Sequence, residues 1–396
     1  MTPGPDLSAL ILEACTAILE GGRRADAALQ YCFREHRTLT LPARNEVATA
    51  VYDIVRRARW LAALESGDPA APPAVSPTLH ATWRLWRGER TAATPADREV
   101  LERAGRFAAL RPLRESLPDW LDALGLHERG DRWEPLLAAL NQPAVPVLRV
   151  NTLKTRLDQV VAAVAAHGAA CRRVEFAPDA LAIEGFAPVF AWEEYKKGWF
   201  ELQDAASQAV ALFLEVKPGM RVVDGCAGNG GKSLHLASLM GNRGRIIALD
   251  IAGDKLAALE HRARRAGATN IETRIITSTK VIKRLAGSAD RVLLDVPCSG
   301  SGVWRRNPDA RWRLHSEDLT RLLAEQQHIL GYYSKLLRPG GRLVYATCSL
   351  FPCEGEQQVA AFLAATSGAF ALAAEKRLDP DLHGFDGFYM AALERC

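Results

Sequence analysis

The spacing of apolar residues divides the chain into two kinds of pattern. Up to about residue 140 they recur at helical intervals. In RNEVATAVYDIVRRARWLAAL the residues Val47, Val51, Ile54, Val55, Ala58 and Leu61 share one face, and Arg56, Arg57 and Arg59 are expected on the other. Asp6 opens a second such helix, and SGDPAAPPAVSP, Ser66 to Pro77, reads as a loop from its prolines and glycine. A small helical bundle is expected there. Two prolines in NQPAVPV, Asn141 to Val147, mark a boundary. PVLRVNTLKT, a helical RLDQVVAAVAAHG and short apolar segments up to Phe200 then predict a small α/β unit. From about Glu201 five apolar runs follow, RVVDG, RIIALDI, IETRIIT, RVLLDV and RLVYAT, with helical stretches between most of them. This alternation predicts an α/β fold with a Rossmann-like, doubly wound and mostly parallel sheet, whose ligands lie beyond the carboxyl ends of the strands. The expected domains are 1–140, 141–200 and 201–396.

The first strand-to-helix turn of that sheet, VKPGMRVVDGCAGNGGKSLHLASLM, is rich in glycine. Glycine lets the backbone approach a ligand closely. Gly231-Lys232-Ser233 supplies the end of a phosphate-binding loop, but the first glycine that loop requires is replaced by Cys226. The dinucleotide fingerprint is not in register either. What remains is S-adenosylmethionine, with the turn on its methionine part and an acid at the end of the next strand on its ribose. Asp250, closing RIIALD, is that acid.

Two further strand ends carry thiols. LLDVPCSGSGVW places Cys298 just past an apolar run, and RLVYATCSLFPCEGE does the same with Cys348 about fifty positions later. Buried structural cysteines sit more often within a strand than in a loop of small residues beyond it. A zinc site using Cys298, Cys348 and Cys353 would have poor spacing and no neighbouring histidine. Covalent catalysis remains. Carbon 5 of cytosine is too weak a nucleophile to take a methyl group until a thiolate adds at carbon 6. The addition needs a proton or hydrogen bond at N3, for which Asp295 is placed. Release needs the carbon-5 proton removed, a task a second thiol can serve.

DVPCSGSGVWRRNPD and YATCSLFPCEGE resemble the paired signatures of the Nop/Sun family of RNA cytosine-5 methyltransferases. LRVNTLKT, WFELQDAASQ and the final DGFYMAAL are also similar to segments of that family, so the resemblance covers roughly Val147 to Arg395. It implies Cys348 as nucleophile, Cys298 as the thiol that assists release, and Asp295 as the acid, with Lys232 beside it or near the methionine carboxylate. It implies S-adenosylmethionine as cofactor, held by Cys226, Ala227, Gly228, Asn229, Gly230, Gly231 and Lys232, with Asp250, Asp295 and, at the end of the next strand, Thr277. The helical start resembles the NusB-like RNA-binding domain joined to the bacterial member that acts on 16S ribosomal RNA, and the middle segment is expected to be RRM-like. Departures are present. CAGNGGKS stands where the family has an alanine and a proline in the turn, RIITSTK lacks a third acid beside the adenine, and PCEG carries Cys353 and Gly355 as replacements after the nucleophile.

Bulk properties narrow the partners. At 396 residues the chain exceeds one ordinary core. Its net charge of +4 permits a polyanion without requiring one. Arg305, Arg306 and Arg311, with Trp304 and Trp312, adjoin the first thiol loop and are expected to contact RNA, as are Lys196 and Lys197 beside Tyr195 and Trp199. The expected substrate is ribosomal RNA, with transfer RNA second. A non-catalytic RNA-binding assembly factor is the reading from a different class. Eight cysteines without a C-x-x-C pair, no long apolar run and a start without signal-peptide character predict a cytoplasmic protein without metal or membrane. A monomer is expected, independently of these features.

Overall fold

The structure is a computed structural model that describes residues 6–396. The chain forms two compact units, one comprising residues up to Gln142 together with Val303–Ser316, the other Pro143–Gly302 and Glu317–Cys396.

The first unit is helical. Asp6 caps the helix Leu7–Leu19 by accepting from the Ser8 amide, and Thr40 caps Leu41–Arg56 in the same way. The apolar face foreseen in the sequence is its core, with Val47, Val51, Ile54, Val55 and Leu61 fully buried. The expected single helix breaks at Arg57 and resumes as Ala58–Ser66, closed by Gly67 in the left-handed region. Arg56 departs from the expected polar face. It is buried, donating to Asp53 and to the carbonyl of Arg305 at 3.1 Å.

The second unit holds two sheets. Strands β1 (Val147–Val150), β2 (Ala170–Val174), β3 (Ala177–Glu184) and β4 (Phe200–Leu202) form an antiparallel sheet in the order β2-β3-β1-β4. The helix Leu157–Ala166 packs Val160 and Val164 onto it. The larger sheet has seven strands: β5 (Arg221–Asp224), β6 (Arg245–Asp250), β7 (Ile271–Ile275), β8 (Ala289–Asp295), β9 (Leu337–Thr347), β10 (Phe370–Leu378) and β11 (Phe388–Arg395). Their order is β10-β11-β9-β8-β5-β6-β7, with β5 to β9 mutually parallel and β10 and β11 antiparallel. Central strands such as β5 and β8 are apolar because helices cover both faces. β5 and β8 are hydrogen-bonded neighbours, as are β8 and β9, so residues closing all three meet at one edge.

Candidate active site

The glycine-rich turn leaves β5 and enters the helix Gly231–Leu239 through Gly230, at φ +79°. A Cβ there would lie 2.0 Å from Leu259, so only glycine lets the turn pack against the helix Gly253–Ala266. Beneath the turn, burial pushes the Asp224 carboxyl up to about 6, against the opposing hydrogen bond from Ser233 Oγ at 2.6 Å. Cys226 is also pushed well up, by burial first and then by neighbouring carboxylates, which makes it an inert thiol.

Asp250 closes β6 as expected. Its Oδ2 accepts from the Gly228 amide and its Oδ1 from the Ala252 amide, both at 2.8 Å. The carboxylate is thereby aimed from two directions at the mouth of the turn. A cavity of about 420 Å³ opens there, lined among others by Gly225, Gly228, Asp250, Ile251, Ile276 and Tyr333. Thr277 is exposed and does not line this cavity; Thr279 does. The strand-end rule predicted the right loop, but its side chains alternate, and Thr277 turns to solvent. On the other side of the turn lies a second cavity of about 270 Å³, lined by Ala227, Asn229, Gly231, Lys232, Gln203 and Arg262 among others. Cys226, Gly228 and Asp295 line both cavities, so they form the wall where the two meet. Gly230 lines neither and acts through the backbone of the turn. Arg149, fully buried on β1, supports this arrangement by donating to Gln203 and to the Gly231 carbonyl.

Asp295 ends β8 and accepts from Lys232 Nζ at 2.6 Å. Lys232 is almost buried and lies 5.1 Å from the centre of the Phe388 ring, so packing and charge both direct its ammonium at this one carboxylate. Phe388 comes from the DGFYMAAL segment, which is β11. The preceding Gly387 donates to Gly302 O at 2.8 Å, and a Cβ on Gly302 would come within 2.2 Å of the Gly387 carbonyl oxygen. Two glycines in contact therefore press β11 against the first thiol loop.

The thiols of Cys298 and Cys348 face each other, with Sγ···Sγ 3.5 Å. Their loops are joined by backbone bonds from Gly302 N to Cys348 O, 2.9 Å, and from Val296 N to Ala346 O, 3.0 Å. The hydrogen bond to Cys348, then burial and the charge of Glu354, push the Cys298 thiol well above the usual thiol range. Cys298 therefore keeps its proton, in hydrogen-bond contact with the neighbouring sulfur. Glu354, which sequence reasoning did not single out, is fully buried beneath both loops. Its signal was present in PCEGE, where it stands six residues after Cys348.

The basic residues part ways. Lys196 and Lys197 are exposed beside Tyr195, and Phe190, also exposed, meets the Tyr195 ring edge-on at 5.1 Å. Arg305 and Arg311, expected at an RNA surface, are buried in the helical unit instead. Arg311 donates to Asn141 Oδ1 at 3.0 Å and to the carbonyls of Glu115 and Ser116, and lies over Trp304. Trp312 donates to the Val55 carbonyl at 2.8 Å. Val303–Ser316 is thus a structural insertion into the helical core; Arg306 is half-buried. Among the described residues no group of three or more His, Cys, Asp or Glu is arranged to hold a metal, and no helix is long and apolar enough to cross a membrane.

Residues 211–394 match the family model of the 16S rRNA methyltransferase RsmB/F, and residues 117–190 match the ferredoxin-like domain of RsmF/B-like methyltransferases. The chain is 34% identical over 305 residues to the probable ribosomal RNA small subunit methyltransferase B of Synechocystis sp., covering 71% of this chain and 67% of that protein. It is 30% identical over 338 residues to the ribosomal RNA small subunit methyltransferase B of Vibrio vulnificus, covering 83% of this chain and 76% of that protein. Among solved structures, the crystal structure of a methyltransferase homolog protein from Pyrococcus horikoshii superposes with TM-score 0.64 at 27% identity, over 72% of this chain and 98% of its own.

Proposed function

The chain belongs to the RsmB/F family of 16S rRNA methyltransferases, and from that membership and the site geometry we propose that it is an S-adenosylmethionine-dependent methyltransferase acting on carbon 5 of a cytosine in small-subunit ribosomal RNA. The observation that carries the reading is the pair of sulfurs 3.5 Å apart at the ends of adjacent parallel strands, with the Lys232–Asp295 pair on the same edge.

The residues present fit the cofactor. The cavity beside Gly225 and Gly228 holds the Asp250 carboxylate for the ribose hydroxyls, Ile251 and Ile276 offer apolar contact to a base, and the second cavity continues past Asp295 toward Lys232. When bound there, S-adenosylmethionine supplies an electrophilic methyl group.

The Cys348 thiolate, formed by loss of its proton to solvent, bonds to carbon 6 of the target cytosine, and the displaced electron pair is accepted through the ring as N3 receives a proton from the Asp295–Lys232 pair. Carbon 5, now enamine-like, takes the methyl group. Cys298, its own proton passed to solvent, then removes the carbon-5 proton, the carbon 5–carbon 6 double bond reforms as the Cys348 thiolate leaves, and the N3 proton returns to the Asp295–Lys232 pair. Once Cys348 is a thioether it can no longer donate a hydrogen to the Cys298 sulfur or carry a charge beside it, while burial and the Glu354 charge remain. Exposed Lys196 and Lys197, with Phe190 and Tyr195, are proposed to contact RNA through phosphates and stacking. The cytoplasm is the proposed location.

The test is methyl transfer from labelled S-adenosylmethionine to unmodified 16S rRNA and transfer RNA, with bisulfite sequencing to place the mark. One 5-methylcytosine in 16S rRNA is expected. A mark in transfer RNA alone would move the substrate. RNA binding without any transfer would identify an assembly factor that has left the family's chemistry.

A further inference from the structure

We propose that Glu354 is a positioning residue for the two thiols, its buried carboxylate holding the Cys298 loop and the Cys348 loop together so that the sulfurs face each other before RNA arrives. The catalytic consequence rests on the function proposed above; the geometry does not.

Glu354 Oε1 accepts from the Ser299 amide at 2.8 Å and from Gln326 Nε2 at 3.0 Å. Its Oε2 accepts from Ser299 Oγ and from Ser349 Oγ, both at 2.5 Å. Ser299 directly follows Cys298 and Ser349 directly follows Cys348. Gln326 reaches from the helix Ser316–Tyr333 and also donates to the carbonyl of Pro297 at 2.9 Å, the residue before Cys298. Each donor therefore comes from a residue next to a thiol or, for Gln326, from one bonded to such a residue. The Glu354 backbone is itself fixed, because Tyr345 on β9 donates to its carbonyl at 2.8 Å. A carboxylate only accepts, and four donors converge on this one at zero exposure. Filling space would need an apolar side chain of similar volume. Accepting from both loops at once needs a carboxylate, and removing it strands buried donors on both.

The test reads the sulfurs directly. Diamide takes one hydrogen from each thiol onto its N=N bond, and an S–S bond forms between Cys298 and Cys348, followed by peptide mass spectrometry without reductant. The unmodified protein should cross-link readily, and Glu354→Gln should slow the reaction at least about fivefold. With RNA, kcat for the variant should fall at least about tenfold while KM moves less than about twofold. Equal cross-linking rates in the two proteins would overturn the proposal, as would full kcat in a variant whose cross-linking is slowed. If Glu354→Gln does not fold by circular dichroism, the pair Ser299→Ala with Ser349→Ala removes a donor hydroxyl from each loop and carries the same two expectations. Slowed cross-linking in a variant whose parent methylates no RNA would leave the positioning role standing and sink the function.

Discussion

The loops after β8 and β9 and the loop after β7 lie on the same edge of one sheet, yet they are held in different ways. The two thiol loops are tied to a single buried carboxylate, to each other and to β11. The β7 loop is held by a backbone bond from Ile276 to the Asp250 carbonyl, 2.9 Å, and by Tyr332 OH donating to the Thr279 carbonyl, 3.3 Å. Thr277, Ser278 and Thr279 are all exposed. On the function proposed above, the contrast follows from what each edge must do. Bond making between a thiol and a ring carbon tolerates little misplacement, so its supporting contacts are dense. Seating an adenosine would need apolar contact and one well-aimed acid, the part proposed for Asp250, so fewer contacts need hold that loop.

Breaking the dense side should cost most. Gly302→Ala puts a Cβ into the backbone of Gly387, at 2.2 Å, with no side chain to move aside. Methyl transfer should fall about a hundredfold or more, with a lower melting temperature, since overpacking here shifts the first thiol loop itself. Unchanged kinetics would mean the loop is not fixed from β11. Next comes the acid on the sparse side. Asp250→Asn should weaken S-adenosylmethionine binding about ten- to a hundredfold by calorimetry, the range for hydrogen bonds to a charged group, without changing RNA affinity.

A third expectation concerns the ground beneath the turn. The folded Asp224 carboxyl lies at about 6, above an unfolded value of about 3.9. Between those values the folded state binds more protons, so unfolding free energy should decline as pH rises through that window. Asp224→Asn should remove this decline in denaturant titrations at stepped pH. A slope that survives the substitution would place its origin elsewhere. The smallest effect sharpens the comparison: Thr277→Ala should change cofactor affinity less than about twofold, as an exposed residue away from both cavities. A loss as large as that of Asp250→Asn would make the β7 loop a clamp and erase the contrast.

Much of this was legible in sequence because it depends on local order. Apolar runs gave β5 to β9, and the parallel-sheet rule brought Asp250, Asp295, Cys298 and Cys348 to one edge. β10 escaped notice because most of its residues are exposed and FALAAEKRL mixes alanine with charge, as an edge strand can. What failed depends on partners far away in the chain. Arg311 reads as an RNA contact by composition, but its bond to Asn141 spans 170 positions. Arg56 reads as a solvated residue until the Arg305 carbonyl, 249 positions on, is brought to it. Glu354 stood within a quoted motif, and only its bond to Ser299, 55 positions back, reveals its place.

A division of attack and release between the two facing thiols is proposed. Cys298→Ala protein incubated with unmodified 16S rRNA and S-adenosylmethionine, then run on a denaturing gel, tests it most directly. A covalent protein–RNA species is expected, one that disappears when Cys348→Ala is added. Full methyl transfer by Cys298→Ala with no trapped RNA, or an adduct that persists without Cys348, would contradict it.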